Sequence, residues 1–317
     1  MWRRLLAIGA LIIASLQGCG ALNEETRPPV LDVAEGPVVE GKFDKVLIIV
    51  LENEDYAAAT HNEILRGIAK RGVLLTNFHG LFHPSYSNYL AMISGRSIPT
   101  NMDIQRDIAG PTIADRLDAA GRQLTWKNYA EGYPPGGTQG CFIDSGSGSY
   151  ARKHVPFLSF TSIRQSHCDR VVPSDQLWKD LADDKLPSYS FYSPDLNHDG
   201  HDSGLTTAAA WLAGFLDELG KYGQSANGPL RRTLLVVTFD ESGRQEYNSN
   251  HIYTVLLGDV ILSPGATLGT YLTHFDVLRL IEDNFALDPL DEGDGRATGI
   301  PDCIFESSNP PPCVKQL

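Results

Sequence analysis

"LIIVLENEDY", residues 47–56, is the stretch from which the fold can be read. Val46 to Leu51 form an unbroken apolar run, the pattern of a strand buried on both faces of a sheet. The run stops abruptly on Glu52, Asn53, Glu54 and Asp55. In open α/β sheets the C-terminal tip of such a strand is where ligands sit. Two readings are open here: the chain has simply reached solvent, or Glu52 and Asn53 hold a metal.

A second run has the same form. "TLLVVTFDESG", residues 233–243, delivers Asp240 and Glu241 at its end. Two parallel strands that each end on a pair of oxygen-bearing side chains can bring four ligands to one sheet edge. Asp, Glu and Asn oxygens suit a hard or borderline divalent cation. Strands are predicted at 46–51, 73–77, 123–129, 188–192, 233–239 and 252–257, and helices near 60–71, 111–121, 204–220 and 273–286. This alternation predicts an α/β fold with a mostly parallel sheet and helices on both faces. "YPPGGTQGCFIDSGSGSY", residues 133–150, is too long for an ordinary connection and reads as a functional lid inserted in the domain.

The chain is acidic, with 39 Asp and Glu against 26 Lys and Arg, a net charge of -13. That balance argues against sequence-independent nucleic-acid binding, which needs basic side chains to neutralise phosphates. It does not argue against a small anionic substrate, because a bound metal reverses the local field.

Arg3 and Arg4 followed by the apolar Leu5–Leu16 predict a secretory signal over residues 1–18. "LQGC", residues 16–19, has the form of a bacterial lipobox, with Cys19 as the lipidated first residue of the mature chain; a plain signal peptide cut nearby is the other reading. Residues 19–44 then serve as a tether, and 45–317 as a single domain. The protein is expected to be exported and anchored by lipid in the cell envelope. With Cys19 set aside, pairing by proximity gives Cys141–Cys168 and Cys303–Cys313, which an oxidising compartment permits. No CxxC or His/Cys zinc spacing is present.

"HPSYSNYLAMISG", residues 83–95, opens a helical pattern on Ser85. A helix N-terminus attracts anions, and a serine there beside a cation can attack a phosphoryl group. Taken alone, the local sequence favours an N-cap role for Ser85 or Ser87. "SPDLNHDGHDSG", residues 193–204, is dense in ligand and acid/base types. Asp195, Asn197, Asp199 and Gly200 match the start of an EF-hand loop, but Thr206 stands where that loop requires Glu. His154, His251 and His274 each read equally well as capping or hydrogen-bonded residues.

Taken together, "ENEDY", "HPSYSNYLAMISG", "YARKHVPF", "NHDGHD", "VVTFDE", "NHIYTVLLG" and "THFDVLRLIEDNFAL" occur in the order seen in the bacterial and fungal phosphoesterase family. That family contains acid phosphatases and phosphocholine-type phospholipases C and belongs to the alkaline-phosphatase-like superfamily. The resemblance covers residues 45 to about 287. It implies a three-layer α/β/α sandwich in which Ser85 is the nucleophile and forms a phosphoseryl intermediate. Glu52, Asn53, Asp240 and Glu241, with the Ser85 oxygen, would surround one divalent metal, whether Mg, Ca, Mn, Fe or Zn. His201, Asp202 and His274 match positions on the phosphate or leaving-group side, and His154, Lys153 and Asn88 match positions near the phosphate. Ser87 stands where relatives often have a second proline.

The expected function is phosphomonoester hydrolysis of a small phosphate ester. A phosphodiesterase or phospholipase C acting on lipid headgroups is the alternative within enzymes, and a non-catalytic surface binding lipoprotein the alternative outside them. A sulfatase is disfavoured, because no Cys or Ser in a C/S-x-P-x-R context precedes the helix.

Overall fold

The computed structural model describes residues 41–100, 104, 106–121, 123–134, 141–144, 148–223, 228–305 and 313–317. The predicted signal peptide, Cys19 and half of the predicted lid lie outside these residues.

In chain order the first half holds β1 (Lys45–Leu51), α1 (Tyr56–His61), α2 (Glu63–Ala69), β2 (Val73–Leu75), β3 (Phe78–His79), α3 (Tyr86–Ser94), α4 (Ile113–Ala119) and β4 (Trp126–Ala130). Next come α5 (Thr161–Ser166), β5 (Val171–Pro173), α6 (Gln176–Ala182), β6 (Tyr189–Ser193) and α7 (Leu205–Gly223). The remainder is β7 (Thr233–Phe239), β8 (Thr254–Leu257), β9 (Ala266–Leu268), β10 (Leu272–Thr273), α8 (His274–Asn284), α9 (Glu292–Arg296) and β11 (Lys315–Gln316).

Nine strands form one sheet in the order β11-β9-β2-β8-β7-β1-β6-β4-β5. The run β5-β4-β6-β1-β7 is parallel throughout, with β1 at its heart, buried on both faces from Val46 onward. Residues facing opposite ways along a strand alternate, and this fixes the layers. Phe191 on β6 meets Tyr89 of α3, while its neighbour Tyr192 meets Trp211 and Phe215 of α7. Helices α3 and α7 therefore cover opposite faces of the sheet, and the α/β sandwich predicted above is observed.

Several boundaries differ from the sequence reading. The helix predicted at 60–71 is two helices, because the Asn62 backbone is extended and its side chain accepts hydrogen bonds from Ile64 and Leu65 N–H as the N-cap of α2. The strand expected at 252–257 runs antiparallel to β7, since only a loop separates the two and no crossover helix reverses the chain. The short strands β5, β9 and β11 were not anticipated, being too brief to carry a periodic signal.

Both expected disulfides are present, Cys141–Cys168 and Cys303–Cys313. The first closes a loop with a sequence separation of 27. Replacing both of its cysteines by serine is expected to lower unfolding stability by about 3 kcal/mol in the chain-entropy picture. Denaturant unfolding under oxidising conditions checks this. An unchanged midpoint would mean that the loop is already held by its packing.

Candidate active site

Register builds the site. Leu51 of β1 lies opposite Phe239 of the parallel β7, so Glu52 and Asp240 emerge side by side at the same sheet edge. The Asn53 N–H donates to Asp240 Oδ1 at 3.1 Å, and Asn53 turns away with φ 51, a left-handed conformation that Asn tolerates better than most residues.

Ser85 precedes α3 as its N-cap residue but makes no side-chain cap. Its hydroxyl lies 3.0 Å from Glu52 Oε2, 3.1 Å from Asn53 Oδ1 and 3.3 Å from Glu241 Oε1. One hydroxyl proton can satisfy only one of these acceptors. The cap reading therefore fails for Ser85, whereas Ser87 does a structural job, bonding the Thr100 hydroxyl at 2.9 Å and accepting from its N–H. Genuine capping boxes are found elsewhere, at Thr112/Asp115 and Thr273/Asp276.

Beside this cluster, His154 lies between two carboxylates. Its Nε2 is 3.1 Å from Glu52 Oε1 and its Nδ1 is 3.1 Å from Asp199 Oδ2, with the ring stacked on Tyr89. Glu52, Asp199, Asp240 and Glu241 are all buried. Burial first, then the charges of Asp240 and Asp199, push the Glu52 carboxyl well above its ordinary range, while Lys153 and Tyr89 oppose this. Burial and the Glu241 charge push Asp240 the same way. Asp199 is raised to about 7, chiefly by burial. Asp240 Oδ2 meets no hydrogen-bond donor. Four carboxylates crowded out of water, with three of their buried oxygens (Glu52 Oε1, Asp199 Oδ2 and Asp240 Oδ2) without a hydrogen-bond donor and three acceptors converging on one hydroxyl, form an arrangement that a divalent cation would stabilise. The residues present fit such an ion, and the donor set is oxygen-rich.

The other expected residues are placed as follows. His274 is buried at the start of α8 and its Nε2 bonds the Asp240 backbone carbonyl at 2.7 Å; burial pulls it down to about 4, so it is neutral and holds the Asp240 backbone. Asn88 Oδ1 accepts from the Leu81 and Phe82 N–H groups, and its Nδ2 donates to the Phe82 carbonyl, reaching Glu241 Oε2 only at 3.5 Å. His201 and Asp202 pair with each other at 2.7 Å on the exposed side, with the His201 ring centroid 6.3 Å from that of His154. Lys153 is close enough for its charge to favour ionised Glu52.

Three site residues escaped the sequence reading. Asp199 sat in a cluster recognised as ligand-rich, but the EF-hand comparison drew attention away from its inward turn. Tyr89 read only as an apolar helix position. His83 immediately precedes Pro84 and Ser85, and that adjacency was the available signal. A second trio, Glu131, Asp195 and His198, is partly exposed, and each of the three already makes hydrogen bonds.

Comparison with known proteins identifies the family. The chain is 34% identical over 262 residues to an acid phosphatase of Aspergillus niger, covering 80% of this chain and 61% of that protein. It is 30% identical over 264 residues to a phosphatidylinositol-3-phosphatase of Mycobacterium tuberculosis, covering 82% and 81%. The chain spans about three-fifths of the length of the first of these relatives. A Vibrio parahaemolyticus protein of the alkaline phosphatase superfamily superposes with a TM-score of 0.52 at 14% identity, covering 82% of this chain and 71% of that one, a likeness of fold alone. The Phosphoesterase family model matches residues 55–288, most of the chain, and the chain belongs to that family.

Proposed function

We propose that this protein is an exported, metal-dependent phosphoric-ester hydrolase of acid-phosphatase type in which Ser85 is the nucleophile. The observation that carries the reading is the Ser85 hydroxyl, unused as a cap and held within 3.3 Å of Glu52, Asn53 and Glu241 oxygens. Glu52, Asn53, Asp240 and Glu241 would hold the divalent ion, whose charge lowers the serine pKa and offsets charge on the phosphoryl oxygens. Ser85 already donates toward Glu52 Oε2, an acceptor for its proton as Oγ bonds to phosphorus and the ester oxygen departs. His201, exposed and paired with Asp202, would be the group that gives the departing oxygen a proton. Water then cleaves the phosphoseryl bond. His274 contributes by holding the Asp240 backbone.

The relative that acts on a phosphatidylinositol phosphate supports monoesters, lipid or soluble, as the substrate class, ahead of the diester alternative. Among the described residues no helix is long and apolar enough to cross a membrane; lipid at Cys19 is the proposed attachment to the envelope.

A chromogenic phosphomonoester and a bis-ester, assayed side by side across pH with and without chelator, test the proposal. Asp240→Asn is expected to lower monoester turnover at least about a hundredfold, as does chelation, with restoration by added metal only in the wild type. Turnover that survives both treatments would remove the metal from the mechanism. Preferential cleavage of the bis-ester would replace the phosphatase reading with the diesterase one.

A further inference from the structure

We infer that His83 is a positioning residue for Glu241, and that through Glu241 it sets the affinity of the metal site; the inference rests on the metal-dependent reading above. His83 Nδ1 lies 2.9 Å from Glu241 Oε2, while Glu241 Oε1 is the oxygen turned to Ser85. The opposite ring nitrogen, Nε2, lies 3.0 Å from the Tyr247 backbone carbonyl, which can only accept, so Nε2 carries a hydrogen. The imidazole also stacks on the Tyr247 ring at 3.9 Å and 12°. One side chain thus joins a carboxylate of the site to the loop that follows it.

That loop is itself anchored. Asp55 accepts from the Gln245 and Glu246 N–H groups, Asn250 Oδ1 accepts from Ser242 N–H, and Asn250 Nδ2 donates to the Phe82 carbonyl next to His83. The far end of the His83 bridge is therefore a fixed point, and a fixed point is what a ligand carboxylate needs. Glu241 can rotate about its own side chain. Of the hydrogen bonds at its outer oxygen, the one with His83 is short, and the one from Asn88 is long at 3.5 Å. Partners of this kind, one bond removed from a ligand, are generally worth ten- to a hundredfold in metal affinity.

The two ring nitrogens can be separated by substitution. An Asn amide nitrogen sits where Nδ1 stood and keeps the bond to Glu241, whereas a Gln amide nitrogen sits where Nε2 stood and keeps the bond to Tyr247. The test is a titration of metal-free full-length protein with manganese(II), read by loss of the free-ion electron paramagnetic resonance signal. Thermal unfolding of each metal-free variant is measured beside it. His83→Ala and His83→Gln are expected to bind manganese about ten- to a hundredfold more weakly than wild type. His83→Asn should remain within a few-fold, and all three should unfold at closely similar temperatures.

Asp240→Asn distinguishes the two ways of failing. If wild type takes up no manganese, or Asp240→Asn binds as tightly as wild type, the metal-dependent reading itself has failed. If Asp240→Asn loses binding while His83→Ala matches wild type, the inference is overturned and the metal site stands. Equal losses in all three His83 variants, accompanied by a common drop in unfolding temperature, would assign His83 to folding and overturn it too.

Discussion

Ser85→Ala is expected to reduce phosphomonoester hydrolysis by on the order of a thousandfold or more while leaving the fold nearly unchanged. The size follows from where the hydroxyl sits. It contributes no cap to α3, so its removal leaves no helix N–H newly unpaired. What disappears is the hydroxyl that lies within 3.3 Å of Glu52 Oε2, Asn53 Oδ1 and Glu241 Oε1. A general-base mechanism with water as the attacking group would survive the change with a modest loss. Residual activity within tenfold of wild type would therefore transfer the nucleophile's role from Ser85 to water. Trapping of a phosphorylated Ser85 at low pH, seen by mass spectrometry in wild type and absent from Ser85→Ala, gives an independent check. The same variant separates enzyme from binding protein, since a surface receptor that merely kept the fold would be indifferent to it.

The second large effect lies away from the chemistry, where α8 meets α9. Glu282 and Asp294 are both fully buried. Glu282 faces Asp294, and Asp294 also accepts from the Leu290 and Asp291 N–H groups. Burial first, and then Asp294, push the Glu282 carboxyl up to about 9. In the folded protein this side chain holds a proton that the unfolded chain releases near its ordinary value of 4.5. The contribution to stability is fully present below about pH 4.5, declines as pH rises, and is gone once pH passes about 9. The slope from this one group is at most about 1.4 kcal/mol per pH unit. Glu282→Gln supplies a permanent donor in place of the shared proton. Its unfolding temperature should exceed that of wild type in mildly alkaline buffer and fall level with it in acid. Parallel curves for the two proteins across pH would show that Glu282 is not the carrier of the slope. Comparing the two proteins cancels the active-site carboxylates, which both share.

How much of this was legible in the sequence depends on the length over which each signal is written. The runs at 46–51 and 233–239 are long, apolar and end on carboxylates, so both strands and the shared sheet edge were readable. Their adjacency was not, because nothing local says that β7 rather than β4 lies next to β1. The helix break at Asn62 was missed for an opposite reason: the apolar spacing continues through it, and only the cap interrupts the backbone. Asp199 was obscured because its loop resembles another motif, and its burial against His154 depends on a residue 45 positions earlier in the chain. His83 stood beside the nucleophile all along. Its partner Glu241 is 158 residues away, and proximity of that kind is visible only in three dimensions.

The in-register pairing of β1 with β7 carries a consequence for how the enzyme matures. Glu52 and Asp240 are brought together by strands far apart in the chain, with the five strands β2 to β6 and the seven helices α1 to α7 lying between them in sequence. A chain that has emerged only as far as α7 owns the serine and half the acidic cluster but has no pocket. On the proposed mechanism it could neither capture the ion nor attack an ester. Closing contacts over so long a separation is the slow part of folding, so competence to bind metal should appear late and all at once, as the final strand of the parallel core seats.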